Sequence, residues 1–136
     1  MLLGGSPAIA SPPEGGAVTL TIENVRNTRG VLRICLTANP RAFPDCSRDR
    51  NARTLSIPAN QTSARFDGLP AGTYAVSLIH DENGNGRMDM ALVMPREGFG
   101  FSRNPAIGMG PPSFGSASFA VATAPVSQTV RVRYML

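Results

Sequence analysis

The sequence predicts an all-β fold, an antiparallel sandwich of about seven strands with one long ordered loop. Apolar and polar residues alternate with a period of two along most of the chain. Glycine, proline and asparagine punctuate these stretches, with 14 Gly and 12 Pro among 136 residues. No stretch shows helical or heptad spacing, and there is no internal repeat. This length, with 42% hydrophobic residues, suits one globular domain with a real core, assigned to residues 17–136.

Residues 1–16 stand apart from this pattern. Ala8-Ile9-Ala10 before Ser11 has the small-x-small form of a signal-peptidase site, behind a short apolar stretch that lacks a basic start. The segment reads as the remnant of a secretory signal or as a disordered tail. Val18, Leu20 and Ile22 then alternate with Thr19, Thr21 and Glu23 as a first strand. Asn27 to Gly30 turn the chain into a second, Val31 to Thr37, and these two are expected to pair as a hairpin. Arg53 to Ile57 and Ser63 to Phe66 form a second expected pair around Pro58-Ala-Asn-Gln61. Leu69-Pro-Ala-Gly72 turns the chain into Thr73 to His80, where Tyr74, Val76 and Leu78 share one face. Ala117, Phe119 and Val121 alternate near the end, as do Val130, Val132 and Tyr134. Strands spaced this way fit a two-sheet, immunoglobulin-like sandwich.

Cys35 and Cys46 are the two cysteines, and Pro40 and Pro44 mark the segment between them as a loop. A disulfide there would stabilise the fold by roughly 2.5 to 3 kcal/mol through chain entropy. It requires an oxidising compartment, so a periplasmic or secreted protein is expected. The competing reading is a pair of buried thiols in a cytosolic protein. All thirteen basic residues are arginine, and against nine acids they give a formal charge of +4. Arg26, Arg29, Arg33, Arg41, Arg48, Arg50 and Arg53 are scattered over loops and strands with few aromatics between them. That distribution reads as a solvated surface rather than a nucleic-acid face, and leaves a cell-envelope component or a protein as the partner class. No apolar run is long enough to span a membrane.

Between His80 and the strand near Ser116 lie roughly 35 residues, far more than a hairpin needs. Phe99, Phe101, Phe114 and four methionines argue that this excursion is ordered and packs on one end or edge of the sandwich. The aromatic side chains either form a satellite core or line an apolar surface for a partner. The excursion opens with Asp81-Glu-Asn-Gly-Asn-Gly-Arg-Met-Asp89, which sets oxygen ligands where a calcium loop has positions 1, 3, 5 and 9, with Gly86 at position 6. The candidate ligands are Asp81, Asn83, Asn85, the carbonyl of Arg87, and Asp89. Position 12 holds Leu92 instead of an acid, so any site would be weak, with Glu97 a candidate carboxylate from outside the loop. The alternative is turn chemistry, because Asn83-Gly84 and Asn85-Gly86 are turn dipeptides and Asp and Asn bond their own backbone.

His80-Asp-Glu-Asn-Gly-Asn-Gly with Asp89, Pro95-Arg-Glu-Gly-Phe-Gly-Phe-Ser-Arg-Asn104, Gly110-Pro-Pro-Ser-Phe114 and Phe66-Asp-Gly-Leu-Pro-Ala-Gly-Thr-Tyr74 resemble the bacterial exported family filed as domain of unknown function 2141. The resemblance covers nearly all of Val18 to Tyr134. It implies an exported single-domain protein with a sandwich like that of transthyretin and carboxypeptidase regulatory domains, and it brings no known activity.

Catalysis has little to draw on. His80 is the only histidine, no serine sits in a nucleophile elbow, and no phosphate-binding glycine loop is present. The expectation is a non-enzymatic, exported β-sandwich module for binding or structure, with no catalytic or organic-cofactor residues and calcium as the one cofactor in view. The alternative is a small-molecule carrier or hydrolase using an apolar pocket under Phe99, Phe101 and Phe114.

Overall fold

The computed structural model describes residues 15–84, 86, 90–91, 94–95 and 97–136. Its strands are β1 Gly16–Glu23, β2 Val31–Thr37, β3 Arg53–Pro58, β4 Ser63–Leu69, β5 Gly72–Asp81, β6 Met90–Ala91, β7 Met94–Pro95, β8 Gly98–Phe101, β9 Phe119–Val121 and β10 Val126–Arg131, with a one-turn helix α1 at Phe114–Ala117. One sheet has the order β10-β1-β4. The other has the order β3-β2-β5-β8, with β9 also pairing β5, while β6 and β7 form a small ribbon of their own. The fold is therefore nearly all-β, and its two main sheets make the expected sandwich.

The pairing differs from the expected hairpins. β1 pairs β4 and β10, whereas β2 pairs β3 and β5, so the chain crosses between sheets after β1 and again after β3. A hairpin would set the apolar faces of β1 and β2 side by side in one plane, but a crossover sets them face to face. Val18, Leu20 and Ile22 can then meet Leu32, Ile34 and Leu36 in one core, all at most 3% exposed. Local backbone supports the crossing: Asn24 adopts φ 67° and its side-chain amide donates to the Val132 carbonyl at 2.7 Å. At Gly30, φ is 71° and a Cβ would lie 2.0 Å from the Asp81 carbonyl oxygen, so only glycine fits. The β1–β10 pair is parallel, a departure from a wholly antiparallel sandwich.

The Leu69-Pro-Ala-Gly-Thr-Tyr74 turn has a mechanism. The Tyr74 hydroxyl donates to the Pro70 carbonyl at 2.6 Å, a bond four residues back along the chain that fixes how β5 leaves the turn. Burial raises the Tyr74 pKa.

The long excursion is ordered at an edge of the sandwich as expected, and there it supplies the edge strand β8 beside β5. In Gly98-Phe-Gly-Phe101 a period of two is at work: a Cβ on Gly98 would lie 2.4 Å from the Tyr134 ring, and one on Gly100 2.6 Å from Val130. The two glycines therefore let β10 and its continuation press against β8. The alternate residues, Phe99 and Phe101, form a second cluster with Phe43, Ala75 and Ala117, against which Ile107 and Phe114 pack. Where β8 ends, Ser102 takes over the pairing of β5. Its hydroxyl accepts from Val76 N–H at 2.8 Å and donates to the Ala117 carbonyl at 2.6 Å.

β8 also joins the two sheets. Phe99 and Arg133 exchange both backbone hydrogen bonds, at 3.0 and 2.8 Å. Beyond them the Asn104 side chain acts as a substitute strand for β10, donating to the Thr129 carbonyl at 2.9 Å and accepting from Arg131 N–H at 2.8 Å. This seam corrects the last strand, expected over Thr129 to Tyr134: β10 ends at Arg131, Val132 N–H still donates to the Glu23 carbonyl of β1, and Arg133 then pairs with β8. The strand expected from Ala117 begins instead at Phe119, because Ala117 belongs to α1. Among the described residues no helix is long and apolar enough to cross a membrane.

Candidate functional site

The polar residues of greatest interest lie where β5 ends, at His80, Asp81 and Glu82. Strand parity continues the core face of Tyr74, Val76 and Leu78 to His80, which is fully buried, as is Asp81. The His80 Nε2 lies 2.8 Å from the Arg29 carbonyl oxygen, which can only accept, so Nε2 carries a proton. Nδ1 bonds the Tyr134 hydroxyl at 2.8 Å, and that hydroxyl in turn accepts from Arg26 N–H at 3.0 Å. Among the described residues neither ring nitrogen meets a serine, a cysteine or a carboxylate.

Asp81 begins the loop read as a calcium site. Its Oδ2 accepts from Arg33 Nε and from Gly86 N–H, both at 2.8 Å, and its carbonyl accepts from Gly84 N–H at 3.3 Å. The chain therefore curls back over the carboxylate, with Gly84 and Gly86 at φ 67° and 79° providing the left-handed turns. Asn83 is exposed beside it. Asn85, Arg87 and Asp89, the other three expected ligands, lie outside the described residues, so the geometry here is that of the loop's first half. Glu97 is buried nearby, and its Oε2 accepts from Glu82 N–H at 2.8 Å. The carboxylate considered as an outside ligand is thus brought to the start of the loop.

Glu82 faces the crossover between β1 and β2. It accepts from Arg26 Nη2 and Asn27 Nδ2, each at 2.6 Å, and from Arg29 Nη2 at 3.1 Å, with its side chain 12% exposed. Burial alone would raise its pKa, but the hydrogen bonds from Arg26, Asn27 and Arg29 together prevail and bring it down to about 2. The bond to Glu82 raises the Arg26 pKa in return. Arg26 also lies over the Tyr134 ring, 4.3 Å from its centre. Burial raises the Tyr134 pKa, against the opposing effects of Arg26.

Sequence reading missed this network of Arg26, Asn27, Arg29, Arg33, Glu82 and Tyr134. A signal for the His80 part was available, since its parity on β5 makes it a core residue. Nothing local announces the Arg26 and Arg29 contacts with Glu82, which join residues more than 50 positions apart.

The surface expected of Phe99, Phe101 and Phe114 is largely consumed by packing. Phe99 and Phe101 are each 7% exposed, and Phe114 is half-buried with its ring 6.0 Å from that of Phe43. Their alternation with Gly98 and Gly100 sends these rings to the opposite side from β10, where the Cys35 to Cys46 loop covers them. That loop is fastened as expected by the Cys35–Cys46 disulfide, with the two Cα atoms 5.7 Å apart.

A protein-family model described as "Uncharacterized protein conserved in bacteria (DUF2141)" matches residues 20–129, and the chain belongs to that family. No curated protein and no solved structure matches the chain.

Proposed function

We propose that this family member is an exported, non-enzymatic β-sandwich module whose long excursion is braced at Asp81 and Glu82 and which serves to bind a component of the cell envelope. One observation carries the reading: each titratable side chain from His80 to Glu82 is spent on holding chain segments together. His80 ties the β1–β2 crossover to Tyr134, Asp81 ties β2 to its own loop, and Glu82 ties the crossover to the end of β5. The carrier or hydrolase reading loses support, because Phe99 and Phe101 fill a core that it needs as a pocket wall. Export is favoured by the disulfide, which persists in oxidising compartments. Cell fractionation combined with thiol alkylation tests it. The expected result is protein in the periplasm or medium with no alkylatable thiol, and cytosolic protein with both thiols modified would sink the reading.

A second reading, weak calcium binding, is favoured by the curl of Gly84 and Gly86 over the Asp81 carboxylate and by the nearness of Glu97. Arg33 already supplies a cation to Asp81, which lowers the gain from a metal ion. Calcium at millimolar concentration is expected to raise the melting temperature slightly relative to a chelator, and Asp81→Ala to remove the difference. Identical melts in both buffers leave turn chemistry as the loop's whole account.

A further inference from the structure

We propose that the end of the sandwich opposite Asp81, built from the disulfide loop and the 102–118 excursion, docks on an anionic lipid bilayer. The proposal deepens the preceding reading by giving the module a partner class, and it rests on that reading only for where the partner is met.

The first observation is charge. Between Thr37 and Thr54 the chain carries four arginines and two aspartates. Both aspartates are turned onto the loop's own donors: Asp45 accepts from the Ser47 N–H and hydroxyl, and Asp49 accepts from the Thr37 hydroxyl at 2.6 Å and from Asn51 N–H at 2.9 Å. Arg41, Arg48 and Arg50 are exposed, and none forms an ion pair among the described residues. Arg53 spends two guanidinium nitrogens on the carbonyls of Asp67 and Gly68 but keeps its charge. Arg26, Arg29 and Arg33 are by contrast all paired with carboxylates at the other end, so this end holds a net excess of positive charge, four arginines against two carboxylates, with three of the arginines free of ion pairs among the described residues.

The second observation is apolar and independent of the first. Met109 is 106% exposed, at the tip of a turn closed by a Gly108–Gly110 bridge, with Gly110 at φ 106° and Pro111 and Pro112 following. The tip is held out by packed neighbours, because Ile107 before it and Phe114 after it both sit against the Phe43 cluster. The two features share one end. Phe43 lies 5.8 Å from Phe101 and 6.0 Å from Phe114, Arg41 is two residues from Phe43, and Met109 is two residues from Ile107. Two residues span at most about 7 Å. Exposed Arg103 adds a further cation from the excursion. An acidic polymer would engage only the arginines, whereas a bilayer also takes up an apolar tip, and this combination favours the lipid surface.

Flotation of the full chain with vesicles tests the proposal. Vesicles of phosphatidylcholine doped with phosphatidylglycerol should carry the protein at low salt, pure phosphatidylcholine should not, and raised salt should release it. Each arginine near the surface contributes about fivefold to partitioning, so Arg48→Gln with Arg50→Gln should weaken binding roughly 25-fold at an unchanged melting temperature. Met109→Ser should weaken it severalfold with the salt dependence intact. Equal flotation with both vesicle types, no flotation at all, or flotation insensitive to the arginine pair overturns the proposal. Retention on immobilised heparin without vesicle binding overturns it in favour of an acidic polymer. Cytosolic protein that still floats would remove export and leave the docking surface standing.

Discussion

The two ends of this sandwich are fastened by different chemistry. At the end of β5, His80, Asp81 and Glu82 are buried or nearly so, and are held by directed bonds to Arg29, Tyr134, Arg33, Gly86, Arg26 and Asn27. At the start of β5, a disulfide closes the Cys35 to Cys46 loop, and Phe43 inserts between Phe101 and Phe114 in edge-on contacts. The first end depends on charge and so on pH and salt. The second depends on apolar area and a covalent bond, and responds to cavities and to reduction. The two ends therefore answer to different perturbations, salt and pH at one and cavities and reduction at the other, which makes them separable by experiment.

The largest effect is expected from a cavity at the apolar end. Phe101 is 7% exposed and its ring touches the rings of Phe43 and Phe99, so Phe101→Ala should cost about 3 to 5 kcal/mol in denaturant unfolding. The loss should be the same at low and high salt, since no charge is involved. A salt-dependent loss would mean that the two ends communicate and that the contrast is wrong. Reduction comes next. Opening Cys35–Cys46 should cost roughly 2.5 to 3 kcal/mol on the chain-entropy account. Hydrogen exchange should then rise in residues 38–52 and leave His80 to Glu82 protected. Equal deprotection of both ends would count against separate fastening.

Much of this was legible from alternation, because burial imposes a period of two wherever one face of a strand meets a core. β1, β2 and β5 fall where Val18-Leu20-Ile22, Leu32-Ile34-Leu36 and Tyr74-Val76-Leu78 alternate. The partners of those strands were not legible, since the turn residues of 24–30 bend a chain into a hairpin or a crossover with equal ease. β8 escaped reading because two of its four residues are glycines, chosen for the close approach of Val130 and Tyr134 rather than for strand propensity. The disulfide could be read from two cysteines flanking a loop. The network around Glu82 could not, because its arginines gain their meaning only when the crossover brings them to the end of β5. The loop at Asp81 was legible as a turn with carboxylate and glycines in register. The Arg33 side chain that shares the same carboxylate comes from the neighbouring strand, at a distance along the chain that no local motif encodes.

The smallest of the three effects probes the charged end through pH. The Glu82 carboxyl titrates at about 2 in the folded protein against an ordinary value of 4.5. A depressed carboxylate pKa stabilises the fold fully above the unfolded value and loses that contribution as pH falls toward the folded one, so the window here runs from about pH 5 down to about pH 2. Its partners Arg26 and Arg29 are 38% and 73% exposed, and solvent screening reduces the gain. Between pH 6 and pH 3 the native chain should lose about 1 to 2 kcal/mol more stability than Glu82→Gln, which keeps the shape and cannot ionise. Comparing the two proteins at both pH values cancels every other carboxylate. The same difference should shrink in high salt, where the Phe101→Ala loss does not change. Parallel pH profiles for the two proteins would mean that Glu82 is held by packing around the crossover, and the chemical distinction between the ends would then reduce to the disulfide alone.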